Sequence, residues 1–441
     1  MRQNGVMADR DLRPPPARRT PRPDVLTGRV VLPAAVLDDG AVVLDGERLA
    51  WVGARRDLTA AGYPDAAPDA GPGEGRTILP GLVDLHDHGG GGASFPDATS
   101  AHEAQVAARE HLRHGTTSLV ASLVTAAPDV LLARTATLAD LADDGELAGI
   151  HLEGPFLSAV RCGAQNPHDM RDGDPALVRA LAAAARGHLR TMTVAPEVPG
   201  VVGRGGVIEA LADVGAVPSI GHTDATTEQT EAAIEEALAA LAAAGRPGAR
   251  LTATHLFNGM RPLHHREPGP VAACLAAAAR GQMVVELVAD GAHLAPGTVR
   301  SVMELVGPRV AAAAGQVGGA DAVALVTDAM AAAGMPDGAY DLGPMHVTVA
   351  DGVARLTDGG AIAGGTSHLL DVVRATVAAG VALVDAVRAA SWTPAEVLGL
   401  TDVGGLVAGR RADLVVTDAD LRVREVRRAG RPVPAVTTAR G

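Results

Sequence analysis

From residue 78 to about 400 the chain alternates short apolar runs with alanine-rich stretches of helical period. Apolar runs at 82–85, 118–121, 149–152, 191–194, 217–220, 251–254, 284–288 and 322–326 have strand length and read as strands. Between them the apolar spacing becomes helical. The clearest helix starts near Thr226 and Thr227 and carries Ile234, Leu238 and Leu241 on one face before Gly245. Eight strand–helix units, spaced by the roughly 30 residues each requires, predict a parallel sheet closed as a (β/α)8 barrel.

The two ends of the chain read differently. Residues 28–32 and 40–53 are short strands, and alternation around Asp45 and Gly46 reads as a hairpin. Strand–turn–strand text returns at 409–416 and 423–432. Together they predict a small β-sandwich domain built from both termini, 24–77 and 401–441, with the barrel, 78–400, inserted into it. Residues 1–23, rich in Arg and Pro without periodicity, are expected to be a disordered extension.

Composition narrows the class. Hydrophobic residues are 47% of the 441 but aromatics only 2%, so the core must be Ala, Val and Leu. A net charge of −13 argues against a nucleic-acid partner, which would require a basic face. Cys162 and Cys274 form no CxxC motif, and a chain of this size needs no disulfide framework. Apolar runs fall short of the roughly 18 residues of a membrane span, and prolines follow Arg18-Arg19 where a signal would be apolar. A cytoplasmic protein without a membrane partner is expected. There is no lysine, so all 38 basic residues are arginine.

Barrel enzymes carry their chemistry where the strands end. His86 and His88 close the first run; two residues apart, they project from the same face of a strand. Glu153 follows the third run, Glu197 the fourth, His222 the fifth and His255 the sixth. The seventh leads into Asp290 and His293, the eighth into Asp328. A helix-capping Asp, a buried His or a solvated Glu would explain any one of these alone. Their convergence on one mouth points to a site, and histidines with carboxylates suit a divalent metal.

At these residues the chain resembles the amidohydrolase superfamily, and within it the N-acetylglucosamine-6-phosphate deacetylase family. The resemblance is carried by the runs from Pro80 to Gly89, His151 to Phe156, Gly221 to Ala225, Thr254 to Met260, Arg266 to Gly269, Ala289 to His293 and Val326 to Ala329, and by the hallmark from Gly405 to Val415. It implies that Glu153, His222 and His255 hold one divalent ion (Zn, Fe, Co or Mn). His86 and His88, which some relatives lack, favour a second ion bridged by Glu153. Asp328 is the implied general base and acid. Binuclear relatives that bridge their metals with a carboxylated lysine act on other substrates, and this chain has no lysine to carboxylate. Contacts to an amino-sugar phosphate are implied for Ala164, Asn258, Gly259, Arg266, His293 and the Ile362-Ala363-Gly364-Gly365 loop. Arg266 would grip phosphate, in a homodimer that shares the pocket.

One departure stands out. Where the family has a histidine expected to contact the acetyl carbonyl, this chain has Gln165, which can still donate a hydrogen bond but carries no charge. The expected reaction is hydrolysis of N-acetylglucosamine 6-phosphate to glucosamine 6-phosphate and acetate, in amino-sugar catabolism or cell-wall recycling. Another N-acyl substrate (N-acetylgalactosamine 6-phosphate or an N-acyl amino acid) is the alternative, and a non-catalytic sugar-phosphate-binding barrel is a third reading.

Overall fold

The computed structural model describes residues 24–64, 75–311, 316–318 and 320–434; the extension expected at 1–23 lies outside them. Eight parallel strands neighbour one another in chain order: Leu82–Asp87, Thr116–Leu123, Gly149–Glu153, Leu189–Val194, Val217–Ile220, Leu251–Ala253, Met283–Leu287 and Val323–Leu325. Each expected run is a barrel strand, with ends displaced by two residues at most.

Alternation assigns the faces. In the seventh strand Val285 and Leu287 join the large core shared with the surrounding helices, whereas Val284 and Val288 belong to a separate cluster on the other face. The helix expected near Thr226 runs over Thr227–Ala243. Thr226 and Gln229 cap it reciprocally, and Ile234 and Leu241 are buried.

Strands one and eight are the two ends of the hydrogen-bonded order and meet at the mouth. Asp328 N donates to His86 O at 2.9 Å and His88 N to Ala329 O at 2.7 Å. Below, the buried Asp84 carboxylate fills the seam, accepting from Thr327 Oγ1 at 2.7 Å and Thr327 N at 3.3 Å. Thus His86, His88 and Asp328 sit on the closure itself.

Strands from both termini form one seven-stranded sheet. Its order is Arg431–Pro432, Val423–Arg428, Leu414–Thr417, Thr77–Pro80, Asp24–Leu32, Ala35–Asp45, Arg48–Ala54. Leu414–Thr417 pairs antiparallel with Thr77–Pro80, which ties the two ends together across the inserted barrel. Val30, Ile78, Leu414 and Val416 line this sheet's own core, while the alternate residues Val31, Leu79 and Val415 join the barrel's core. The hairpin pairs Asp45 with Arg48 around Gly46 and Glu47, where Gly46 takes φ +57°.

The wall of the mouth includes an element that was not foreseen. A three-stranded antiparallel sheet, Gly338–Leu342, Met345–Ala350 and Val353–Leu356, follows the eighth barrel strand and supplies part of the wall of the mouth. Among the described residues no helix is long and apolar enough to cross a membrane.

Candidate metal centre and active site

The strand ends open onto a cavity of about 280 Å³. At its floor the Glu153 carboxylate faces two ways. Oε1 lies 2.9 Å from His222 Nε2 and 2.8 Å from His255 Nε2. Oε2 lies 3.1 Å from His88 Nε2 and 3.7 Å from His86 Nε2. Asp328 Oδ1 completes the second group, 3.3 Å from His88 Nε2 and 3.5 Å from His86 Nε2. All six side chains are buried.

Backbone conformation aims three of them. His222, His255 and Asp328 take φ of +46°, +28° and +47°, a region costly for residues with a Cβ. Each turns sharply off its strand toward the axis. Gly259 makes room: a Cβ there would stand 2.7 Å from His222 Nδ1. Glu197 takes no place in the cavity wall; it accepts from Thr223 Oγ1 and Asp224 N, both at 2.5 Å, and so braces the turn after His222.

The outer nitrogens fix the rings. His88 Nδ1 lies 3.2 Å from Ser122 O and His222 Nδ1 2.8 Å from Arg161 O. His86 Nδ1 lies 3.4 Å from Glu286 Oε2. Donation of Nδ1–H to these acceptors leaves each Nε2 lone pair directed inward, as metal ligation requires. His86 Nε2 and His88 Nε2 are 3.0 Å apart, close to the roughly 3.3 Å between two ligands at about 2.0–2.1 Å on a tetrahedral ion.

The electrostatics agree. Burial opposes charge on His86 and His88, but the carboxylates of Glu153 and Asp328 outweigh it. They hold His86 well above its ordinary value and His88 at about 9. Burial likewise pushes Glu153 and Asp328 up, yet the surrounding histidines, His86 foremost, bring both well below the carboxylate range. A buried pocket that protonates its own imidazoles in this way demands positive charge, and a divalent cation answers the same demand. The donor set therefore fits such an ion, as two groups: Glu153, His222 and His255, and His86, His88 and Asp328.

A third His/Glu group, Glu110, His114 and His368, lies apart from this cavity. Its two rings stack at 3.6 Å with planes 12° apart. In-plane lone pairs on parallel rings do not converge on one ion, so this cluster is not assigned one.

Of the residues expected to contact substrate, Ala164, Gln165, Asn258, Gly259, His293, Ile362 and Gly364 line the cavity. Ala363 is buried and lies outside the lining. Gly365 is also outside it, but its N–H donates to Asp328 O at 2.6 Å and helps seat that residue. Arg266 is exposed and outside the cavity of a single chain. His293 is held by Asp290 Oδ2 at 2.8 Å, with Nε2 3.8 Å from Asp328 Oδ2. Gln165 accepts from Thr125 N at 2.7 Å and donates to Glu153 Oε2 at 2.5 Å.

Sequence reasoning missed Leu342, in the wall, and Glu286, beneath the histidines. Glu286 had a signal: it is a lone charge inside the apolar run Val284-Val285-Glu286-Leu287-Val288. Leu342 had none, because its short strand lies outside the strand–helix repeat.

A barrel whose strand ends gather His-X-His, a glutamate, two further histidines and an aspartate defines a metal-dependent hydrolase class, and the family comparison agrees: residues 77–438 match the amidohydrolase family, to which this chain belongs. More narrowly, the chain is 33% identical over 364 residues to N-acetylglucosamine-6-phosphate deacetylase of Lysinibacillus sphaericus, covering 81% of this chain and 86% of that one. It is also 33% identical to N-acetylgalactosamine-6-phosphate deacetylase of Escherichia coli O157:H7, over 79% of this chain and 85% of the other. Among solved structures, a mutant of the Mycobacterium smegmatis N-acetyl-D-glucosamine-6-phosphate deacetylase in complex with N-acetyl-D-glucosamine-6-phosphate superposes with TM-score 0.80 at 41% identity. That match covers 93% of this chain and 99% of the other.

Proposed function

We propose that this chain hydrolyses the N-acetyl group of N-acetylglucosamine 6-phosphate, giving glucosamine 6-phosphate and acetate. The observation that carries it is the divided Glu153 carboxylate, one oxygen on His222 and His255 and the other facing His86, His88 and Asp328. Its setting supports the reading: a chain that matches such deacetylases along most of its length.

Glu153, His222 and His255 would hold one divalent ion, and His86 with His88 a second, with Glu153 shared between them. When bound, such ions polarise the amide carbonyl and acidify a water. Asp328 is ionised and faces the same space, so it takes the proton of the attacking water and returns it to the departing amine. His293, fixed by Asp290, faces the other Asp328 oxygen, with Nε2 3.8 Å from Oδ2. Gln165, through its side-chain N–H, would serve the acetyl carbonyl after releasing Glu153 Oε2.

Among the described residues the cavity wall contains no arginine. The phosphate therefore calls for a cation from elsewhere, and the exposed Arg266 of a second subunit in a homodimer fits that need. The working location is the cytoplasm.

Similarity to the N-acetylgalactosamine-6-phosphate deacetylase favours one second reading, the C4 epimer of the sugar. Acetate release from the two phosphorylated sugars and from unphosphorylated N-acetylglucosamine tests all of this. kcat/KM should be highest for N-acetylglucosamine 6-phosphate. A preference for the galactosamine phosphate would install the second reading, and equal rates without phosphate would remove the role of Arg266.

A further inference from the structure

We infer that Glu286 is a positioning residue that ties the two halves of the metal centre together; this rests on the metal reading above. Glu286 lies mid-strand in Met283–Leu287 and is 2% exposed. It shares the face of Val284 and Val288, away from the helices. It is not part of the cavity wall, so it has no access to substrate. A carboxylate buried in an apolar strand is costly unless it is paired and hydrogen-bonded.

Its partners belong to both half-sites. Glu286 Oε2 lies 3.4 Å from His86 Nδ1 and also 3.4 Å from the backbone N of His255. The backbone of the same residue acts too, since Leu256 N donates to Glu286 O at 2.9 Å. Two consecutive residues, 255 and 256, are thereby held at the point where His255 takes φ +28°. One carboxylate oxygen thus orients the ring of a ligand in one half-site and stabilises the strained turn that presents a ligand in the other.

The other rings are fixed differently. His88 and His222 turn their outer nitrogens to main-chain carbonyls, which substitution cannot delete. His255 Nδ1 is buried with no hydrogen-bond partner among the described residues, so the placement of His255 depends on its main chain, which Glu286 grips. An acceptor on the outer nitrogen raises imidazole basicity and fixes its tautomer, and loss of such a partner typically lowers metal affinity about 10–100-fold.

The test equilibrates metal-loaded wild type, Glu286→Gln and Glu286→Asp against graded chelator, counts ions by mass spectrometry and records the cobalt(II) absorption of each. Glu286→Gln should release the ion at His86 at a free-metal level about 10–100-fold higher than wild type. It should hold the ion at Glu153, His222 and His255 less altered, and shift the cobalt spectrum. Glu286→Asp should recover part of both. A merely structural role would lower the unfolding temperature and leave the chelator curve and spectrum of the folded protein as in wild type; that outcome overturns the proposal while leaving the metal reading intact. A wild type that holds one ion removes the second site alone, and Glu286 is then judged on that ion through His255. A wild type that holds none overturns both readings.

Discussion

The two halves of the site are built from similar residues but on different foundations. Glu153, His222 and His255 end strands three, five and six, which belong to the continuous parallel ladder. Their contacts converge on one oxygen at 2.8 and 2.9 Å. His86, His88 and Asp328 stand on strands one and eight, which meet through mouth hydrogen bonds and the Asp84 seam. The distances from these two histidines to the carboxylate oxygens that face them, Glu153 Oε2 and Asp328 Oδ1, are looser, 3.1 to 3.7 Å. A ladder enforces positions on its neighbours, whereas a seam relies on side chains. The first half should therefore hold its ion more tightly, and the second should respond more to its surroundings.

Asp328→Asn gives the largest expected effect. Proton transfer contributes roughly 10²–10⁴-fold, so kcat should fall by about that factor while the ion at Glu153, His222 and His255 remains in metal analysis. Unchanged turnover would remove Asp328 from the chemistry. Next, His255→Ala should lose the tighter ion and nearly all activity, whereas His88→Ala should lose the weaker ion and retain part of kcat; the reverse order would invert the comparison.

Gly259→Ala places a Cβ 2.7 Å from His222 Nδ1 at a position with φ +60°. Chemical denaturation should show a loss of about 1–3 kcal/mol, and chelator titration a weaker first ion with the second unaffected. A pH-dependent effect belongs to the seam's neighbourhood. Burial lowers the His111 pKa, but the Asp87 carboxylate, 2.9 Å away, more than compensates and raises it to about 9. A raised histidine contributes stability that is complete below its unfolded value of about 6.5 and is lost as pH rises through about 9. The stability advantage of wild type over His111→Gln should accordingly shrink between pH 6.5 and 9.5 or so; a constant difference would show that the charge is not involved.

Much of this was legible in the sequence because barrels repeat. Short apolar runs of strand length located the eight strands, and reading only the residues just after each run found His222, His255 and Asp328. The same rule hid Glu286, which sits inside a run, and Leu342, which belongs to an insertion outside the repeat. The left-handed backbone at His222, His255 and Asp328 was equally invisible, since none of them is the glycine that usually announces it. Gln165 was noted as a departure, but its bond to Glu153 Oε2 requires the loop after strand three to fold back over the mouth, which no local pattern encodes.

The most direct measurement is the number of divalent ions bound per chain, by mass spectrometry, in protein purified without added metal and then reconstituted. Two ions should be found, with the second lost first on dilution of metal and activity falling in step with the tighter one. A single ion at saturation, or full turnover with both removed, would contradict the divided-carboxylate centre on which the account depends.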